Sequence, residues 1–188
     1  MPSFVRSVRS LVATLALSLV PLTAGAQSVT EPHTITVTPF LSSSFGVSQD
    51  LGASLGLGVA ISYDLTTRLG FEGELGHVFD VLGDTANADL AVTNFSGNAV
   101  YNFPLRRVTP YATFGIGVER SSLDVKTPDP LAIYPPTSTE VSYNFGGGVK
   151  VPVSELFVAR ADIRRFQAND LAPDYWRLYG GLTWWIKR

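Results

Sequence analysis

Apolar and polar residues alternate along most of this chain, most regularly in its last stretch, residues 175–188. A period of two, sustained over more than eight residues, predicts a long β-strand whose two faces meet different surroundings. One face of this stretch is apolar, and the other mixes charged, hydroxyl-bearing and aromatic residues: Trp176, Leu178, Gly180, Leu182, Trp184 and Ile186 oppose Tyr175, Arg177, Tyr179, Gly181, Thr183 and Trp185.

Seven earlier segments repeat the pattern, and turn residues separate them. The predicted strands are 33–42, 55–64, 68–75, 90–103, 109–120, 140–151, 155–166 and 175–188. The connections after the second, fourth and sixth strands are short (65–67, 104–108, 152–154), whereas the others are longer, the longest being 121–139. An even number of strands with alternating short and long connections predicts an all-β, eight-stranded, antiparallel, up-and-down transmembrane β-barrel. If both termini are periplasmic, the short turns are periplasmic and the longer loops are external.

The same alternation would suit a secreted soluble barrel with its apolar face inside. The volume of the apolar side chains favours a membrane barrel over a soluble one. Each strand offers about four or five large apolar side chains, and the interior of an eight-stranded barrel is too narrow to hold them. Trp176 and Trp184 share the apolar face of the last strand. At a strand tilt of about 40° they lie about 20 Å apart along the barrel axis, which suits two aromatic girdles.

The N-terminus predicts export. Arg6 and Arg9 precede an apolar run at 11–20, and Ala24-Gly25-Ala26 follows it. This order is typical of a secretory signal peptide, and the run is too short to span a bilayer. We therefore expect residues 1–26 to be a cleaved signal peptide and residues 27–188 to be the barrel domain. Two of the 14 Lys and Arg residues and none of the 16 acids fall in 1–26, which leaves a formal charge of −4. That acidity argues against a nucleic-acid partner.

The polar face contains acids and bases in near balance, and these residues form the predicted lumen charge network. Buried ions must be paired or hydrated, so a balanced set favours a cross-linked, plugged interior over a pore lined by one sign. The two interpretations are structural ion pairing and a gated or narrow ion path. The residues concerned are Arg68, Glu72, Glu74, Glu119, Glu140, Lys150, Arg160, Asp162, Arg164 and Arg177.

Catalytic and metal-binding patterns are mostly absent from the sequence. His77 with Asp80 and Ser121 or Ser122 is the one set that could assemble near the outer leaflet. No Ser has a nucleophile-elbow context, so an ordinary rim histidine is favoured. There is no Cys, and the loop acids lack the spacing of a calcium loop. We predict no catalytic residues, no cofactor and no metal.

Several stretches resemble the eight-stranded outer-membrane β-barrel family, OmpA/OmpX-like and opacity-protein-like. They are Tyr101-Asn102-Phe103-Pro104 with Thr109-Pro110-Tyr111, Gly115-Ile116-Gly117-Val118, and the aromatic end Trp184-Trp185-Ile186, which is followed by Lys187-Arg188. The resemblance implies an outer-membrane location and recognition of the last strand by the barrel-assembly machinery. The family covers adhesion, host-factor binding, permeability and mechanical roles, so the resemblance does not settle the function. We therefore expect a non-enzymatic monomer in contact with outer-membrane lipid, with a surface ligand at loop 121–139; a small-solute channel and a lipid A-modifying enzyme are the alternatives.

Overall fold

The computed structural model of the chain describes residues 30–46, 54–79, 88–125, 137–168 and 174–187. The eight strands of this part are antiparallel and close into one barrel in chain order, which confirms the predicted fold class. They are β1 (Thr34–Gly46), β2 (Ser54–Asp64), β3 (Leu69–Val78), β4 (Ala88–Asn102), β5 (Thr109–Val125), β6 (Thr137–Pro152), β7 (Phe157–Ala168) and β8 (Tyr175–Lys187). Within these ranges, no helix has the length and apolarity needed to cross a membrane.

The strands run further toward the long-loop end than the alternation predicts. The assignment of 121–139 as a loop is wrong at both ends, because β5 continues to Val125 and β6 already begins at Thr137. Backbone pairing explains the extension, since β4 continues to pair with β5 as far as Ala88 and Val125, and Ser122 pairs with Thr137. Ladder hydrogen bonds need no apolar pattern. Residues 126–136, the predicted signal peptide and Asp80 lie outside the described residues.

The two faces of the sheet are sorted as a membrane barrel requires. Phe145 is 44% exposed on the outside, whereas its neighbour Asn144 is 1% exposed inside. Leu41 and Leu55 show 73% of their surface on the outside, and the buried set is dominated by Ser, Thr, Asn and charged side chains. An outer wall this apolar needs a hydrocarbon environment, because every exposed strand face would otherwise meet water.

Two of the short turns are closed by the same kind of hydrogen bond, from a backbone N–H to a side-chain hydroxyl oxygen. Thr66 Oγ1 accepts from Leu69 N at 2.9 Å, and Ser154 Oγ accepts from Phe157 N at 3.2 Å. A hydroxyl that accepts from the backbone three residues on closes such a turn locally. The turns therefore depend on their own sequence and not on the barrel interior.

Inward-facing glycines make room for larger side chains in the narrow interior. A Cβ at Gly58 would lie 2.3 Å from Phe40 Cζ, and one at Gly115 would lie 1.8 Å from Asn98 Oδ1. Because an eight-stranded interior has little spare volume, these positions set which side chains can cross the lumen.

Candidate functional site in the barrel lumen

Six of the ten charged residues predicted for the lumen meet near the middle of the barrel and are here named the central charge network. They are Glu72 and Glu74 on β3, Arg160, Asp162 and Arg164 on β7, and Arg177 on β8. Within each strand they are two residues apart, which places them on one face of the sheet. In the closed order β1 to β8, strands β3 and β7 lie on opposite sides of the barrel. The salt bridges between them therefore cross the lumen.

Arg164 lies at the centre of this network. Its Nη2 donates to Glu72 Oε1 at 2.8 Å and to Asp162 Oδ2 at 2.9 Å, and its Nη1 lies 3.0 Å from Glu74 Oε2. Arg160 donates to Glu72 as well, and Arg177 donates to the other oxygen of Glu74. Each carboxylate of the network thus contacts at least one guanidinium, and the formal charges of the six groups cancel.

Aromatic side chains pack around the guanidinium groups and fill the remaining lumen. Tyr111 donates its hydroxyl to Asp162 and accepts from Arg160 Nε at 2.7 Å. Tyr179 accepts from Arg164 at 2.9 Å and stacks on Phe40, with ring centroids 4.5 Å apart. Arg177 lies 4.3 Å from the ring centroid of Phe166. Hydrogen bonds and ring faces together replace the water that these cations would otherwise hold.

The network is almost completely removed from solvent. The side chains of Arg164 and Glu74 are 0% exposed, and those of Arg160 and Glu72 are 1% exposed. Charges in such a place lose several kcal/mol of hydration each and are tolerated only when they are paired. Because pairing is satisfied here by residues on opposite walls, the network holds the two sides of the barrel together and closes its middle.

The other four predicted residues lie elsewhere. The prediction for Arg68 is wrong, because this residue is exposed in the turn before β3 and not in the lumen. A turn residue leaves the strand alternation, so period two no longer fixes the direction of its side chain. Lys150 is buried toward the short-turn end, where Nζ donates to Asn102 Oδ1 at 3.1 Å. Glu119 and Glu140 are directly paired across β5 and β6, toward the long-loop end.

A small, partly open space lies beneath the network. It has a volume of about 10 Å³, and Asp64, Lys150 and Arg160 are among its lining residues. This is close to the smallest cavity that can hold one water molecule. At the opposite end, Glu119 Oε1 accepts from the Tyr175 hydroxyl at 2.9 Å, and Glu140 accepts from Ser138 at 2.8 Å. The lumen therefore consists of polar layers above and below a closed centre.

The inward tyrosines are the main contributors to the site that the predicted set omits. Tyr111, Tyr175 and Tyr179 are all buried and bonded to charged groups of the lumen. Their position on the same period-two face as the charges was a signal that they point inward. Tyrosine also occurs in lipid-facing girdles, so composition alone did not separate the two roles.

The histidine set considered for catalysis does not assemble among the described residues. His77 points outward, with Nδ1 2.8 Å from Thr93 Oγ1 and its ring edge-on to Phe79. Ser121 is buried on the opposite face of the sheet. Ser122 is exposed on β5, but it pairs with Ala91 and not with Thr93, the partner of His77. Across the described ranges, no group of three His, Asp or Glu side chains is arranged to hold a metal ion.

The two tryptophans assigned to the girdles both lie on the outer face of β8. Trp184 is 37% exposed, and Trp176 is half-buried with the Arg165 guanidinium 5.7 Å from its ring centroid. Their role as membrane anchors stays a prediction.

Comparisons with known proteins agree with this architecture. The family model described as outer membrane protein beta-barrel domain matches residues 12–182. Neisserial surface protein A (NspA) has a similar fold, with a TM-score of 0.61, 15% identity, and coverage of 80% of this chain and 94% of that one. The N-terminal β-barrel domain of Pseudomonas aeruginosa OprF is also similar, with a TM-score of 0.59, 17% identity, and coverage of 82% of this chain and 98% of that one. For Ail, the attachment invasion locus protein of Yersinia pestis, the TM-score is 0.52 and the identity 16%, with coverage of 83% of this chain and 100% of that one. Among curated protein sequences, none matches the chain.

Proposed function

Because this chain belongs to the outer membrane β-barrel domain family, we propose that it is a non-enzymatic envelope protein whose barrel anchors external loops and does not conduct solutes. The observation that carries this proposal is the central charge network across the lumen. Its opposite charges cancel, its side chains are buried, and its salt bridges join β3 to β7. A conducting pore needs a hydrated path, and ring-packed ion pairs at the centre oppose one.

The proposed surface role belongs to the loops at the end opposite the short turns. The sequence between β5 and β6 contains four prolines, Pro128, Pro130, Pro135 and Pro136, and it also contains Leu131, Ile133 and Tyr134. Proline reduces the conformational entropy that a segment loses on binding, and apolar side chains provide contact area. These features support a surface ligand as the partner of this loop.

The proposed route to the membrane begins with a cleaved signal peptide at residues 1–26. Residues 27–188 would then reach the outer membrane and be inserted by the barrel-assembly machinery as a monomer. The mature N-terminus is expected at Gln27, and N-terminal sequencing of outer-membrane fractions checks this.

Planar-bilayer recording tests the anchoring function directly. The wild-type protein is expected to give no current steps above the protein-free baseline. The matched control is Glu72→Ala with Arg160→Ala, which removes one neutral ion pair from the lumen and is expected to conduct. Conducting control molecules show that insertion works, so a steady current from the wild type would reject the anchor and establish a narrow ion path. An altered lipid A mass on expression would instead indicate an enzyme.

A further inference from the structure

An open apolar groove of about 690 Å³ lies on the outer wall around β3 and β4. Its floor includes Gly73 and Gly97, which are paired across the two strands, and a Cβ added at either glycine would meet nothing within 4 Å. Phe71, Phe114 and Ile116 line the groove and are 52%, 60% and 55% exposed. The missing side chains between large neighbours create a channel in the apolar outer wall at this place.

A cluster of three arginines lies at the short-turn end of the same strands. Arg68 is exposed in the turn between β2 and β3, and Arg106 and Arg107 are exposed in the turn between β4 and β5. The two turns are neighbours, because Asn102 N donates to Arg68 O at 2.6 Å and Leu69 pairs with Tyr101.

Neither of these turns contains an acid. Among the described acids at this end, Glu31 and Glu155 lie in other segments, and Asp64, the last residue of β2, is buried in the lumen. Every salt bridge among the described residues involves other cations. The three charges are therefore available to an anion from outside the chain.

We propose that the groove and the three arginines together bind one anionic phospholipid of the inner leaflet. The acyl chains would lie over Gly73 and Gly97, and the phosphate would contact the arginines. Basic pockets at the membrane boundary recognise anionic headgroups in this way. The proposal rests on the proposed orientation, in which the short turns are periplasmic.

Charge complementarity favours a lipid over a second copy of the chain. A two-fold dimer formed through this groove would use the same surface on both copies. The arginine clusters of the two copies would then meet at the same membrane boundary and repel each other. A phosphodiester supplies the opposite charge that the cluster lacks.

Native mass spectrometry of the full-length protein, released from vesicles of equal dioleoyl phosphatidylglycerol and dioleoyl phosphatidylcholine, tests the headgroup interaction. The wild type is expected to retain phosphatidylglycerol in preference to phosphatidylcholine. The triple variant Arg68→Gln, Arg106→Gln, Arg107→Gln is expected to lose about tenfold or more of that preference. Lys187→Gln is the control, because Lys187 is an exposed cation at the same end, on β8 across the barrel.

Substitutions in the groove test the acyl contact separately. Gly73→Leu with Gly97→Leu is expected to reduce retention of both lipids. Gly180→Leu is the matched control, because Gly180 also faces outward with nothing within 4 Å of an added Cβ. Equal retention of the two lipids by the wild type would overturn the proposal, and so would equal losses in Lys187→Gln or Gly180→Leu. A conducting wild type that still prefers phosphatidylglycerol would reject the proposed anchoring function and leave this lipid site standing.

Discussion

Arg164 is the residue on which the interior of the barrel depends most. Its side chain is fully buried and contacts Glu72, Glu74 and Asp162 as well as the Tyr179 hydroxyl. Its neighbour Arg165 lies on the outer face and pairs with Asp174, a carboxylate whose side chain is 40% exposed. Two consecutive arginines thus lie on opposite faces of the sheet, one in the lumen and one outside, because side chains alternate between the two faces along a strand.

Arg164→Met is therefore expected to destabilise the barrel strongly. Removing one partner of a buried ion pair leaves an uncompensated charge and costs about 3–5 kcal/mol. Arg165→Met should cost less, because Arg165 lies outside the lumen and pairs with a carboxylate that is 40% exposed, although the Arg165 side chain itself is 12% exposed. Urea unfolding in lipid vesicles, followed by tryptophan fluorescence, measures both variants. Equal losses for the two variants would contradict the assignment of Arg164 to a dry lumen.

At this scale the ten charges predicted for the lumen include the six that meet in the central charge network, but the sequence predicted neither which of the ten meet nor how they are arranged. Period two placed Glu72, Glu74 and Arg164 on one face, yet it contained no information on which strands lie opposite in the closed barrel. Arg68 was misassigned because a turn interrupts the alternation. The tyrosines were omitted from the network because their hydroxyls join it through contacts with other strands, such as Tyr111 on β5 with Asp162 on β7.

At the scale of single strands, the distance to the neighbouring strand determines where glycine is required. A Cβ at Gly146 on β6 would lie 2.1 Å from the backbone oxygen of Ile163 on β7, closer than real Cβ contacts allow. Gly180 on β8 has open space instead. Glycine in a strand interior is unfavourable by itself, so its presence at Gly146 indicates a packing requirement.

Gly146→Ala is expected to disturb the pairing of β6 with β7 and to destabilise the barrel by about 1–3 kcal/mol. Gly180→Ala should be neutral or stabilise it by up to about 1 kcal/mol, because alanine is less flexible in the unfolded chain. Unfolding curves of the two variants provide the comparison. A neutral Gly146→Ala would mean that β6 and β7 separate without cost.

Strand identity was predictable because each segment has a long alternating pattern, but strand ends were not. The structure extends β1 to Gly46 and β5 to Val125, beyond the regular alternation of large apolar residues. Backbone pairing continues there without that pattern, since the ladder depends on the neighbouring strand and not on side-chain polarity.

At the scale of the whole molecule, the described strands form one closed wall. Closure leaves no unpaired strand edge within the membrane, and the central charge network joins opposite walls. Changes in the loops should therefore leave the barrel assembled, because the cost of closing a loop changes only slowly with its length. This independence is what allows loop function to be tested without loss of the fold.

The loop between β5 and β6 is expected to be the recognition element. Replacing residues 126–136 with Gly-Ser-Gly keeps all of β5 and β6 and removes Leu131, Ile133 and Tyr134. We expect the variant to retain the mobility difference between unheated and heated samples on a denaturing gel. Vesicles carrying it should lose binding to arrayed extracellular-matrix proteins and glycans that the wild type binds.

A matched control distinguishes this loop from loop shortening in general. Residues 80–87, between β3 and β4, are replaced with the same Gly-Ser-Gly segment, and the binding of this variant should persist. If the assembled 126–136 variant binds as well as the wild type, the loop between β5 and β6 is not the recognition element. Loss of assembly would show that residues 126–136 stabilise the barrel, because the strands on either side remain complete in this variant.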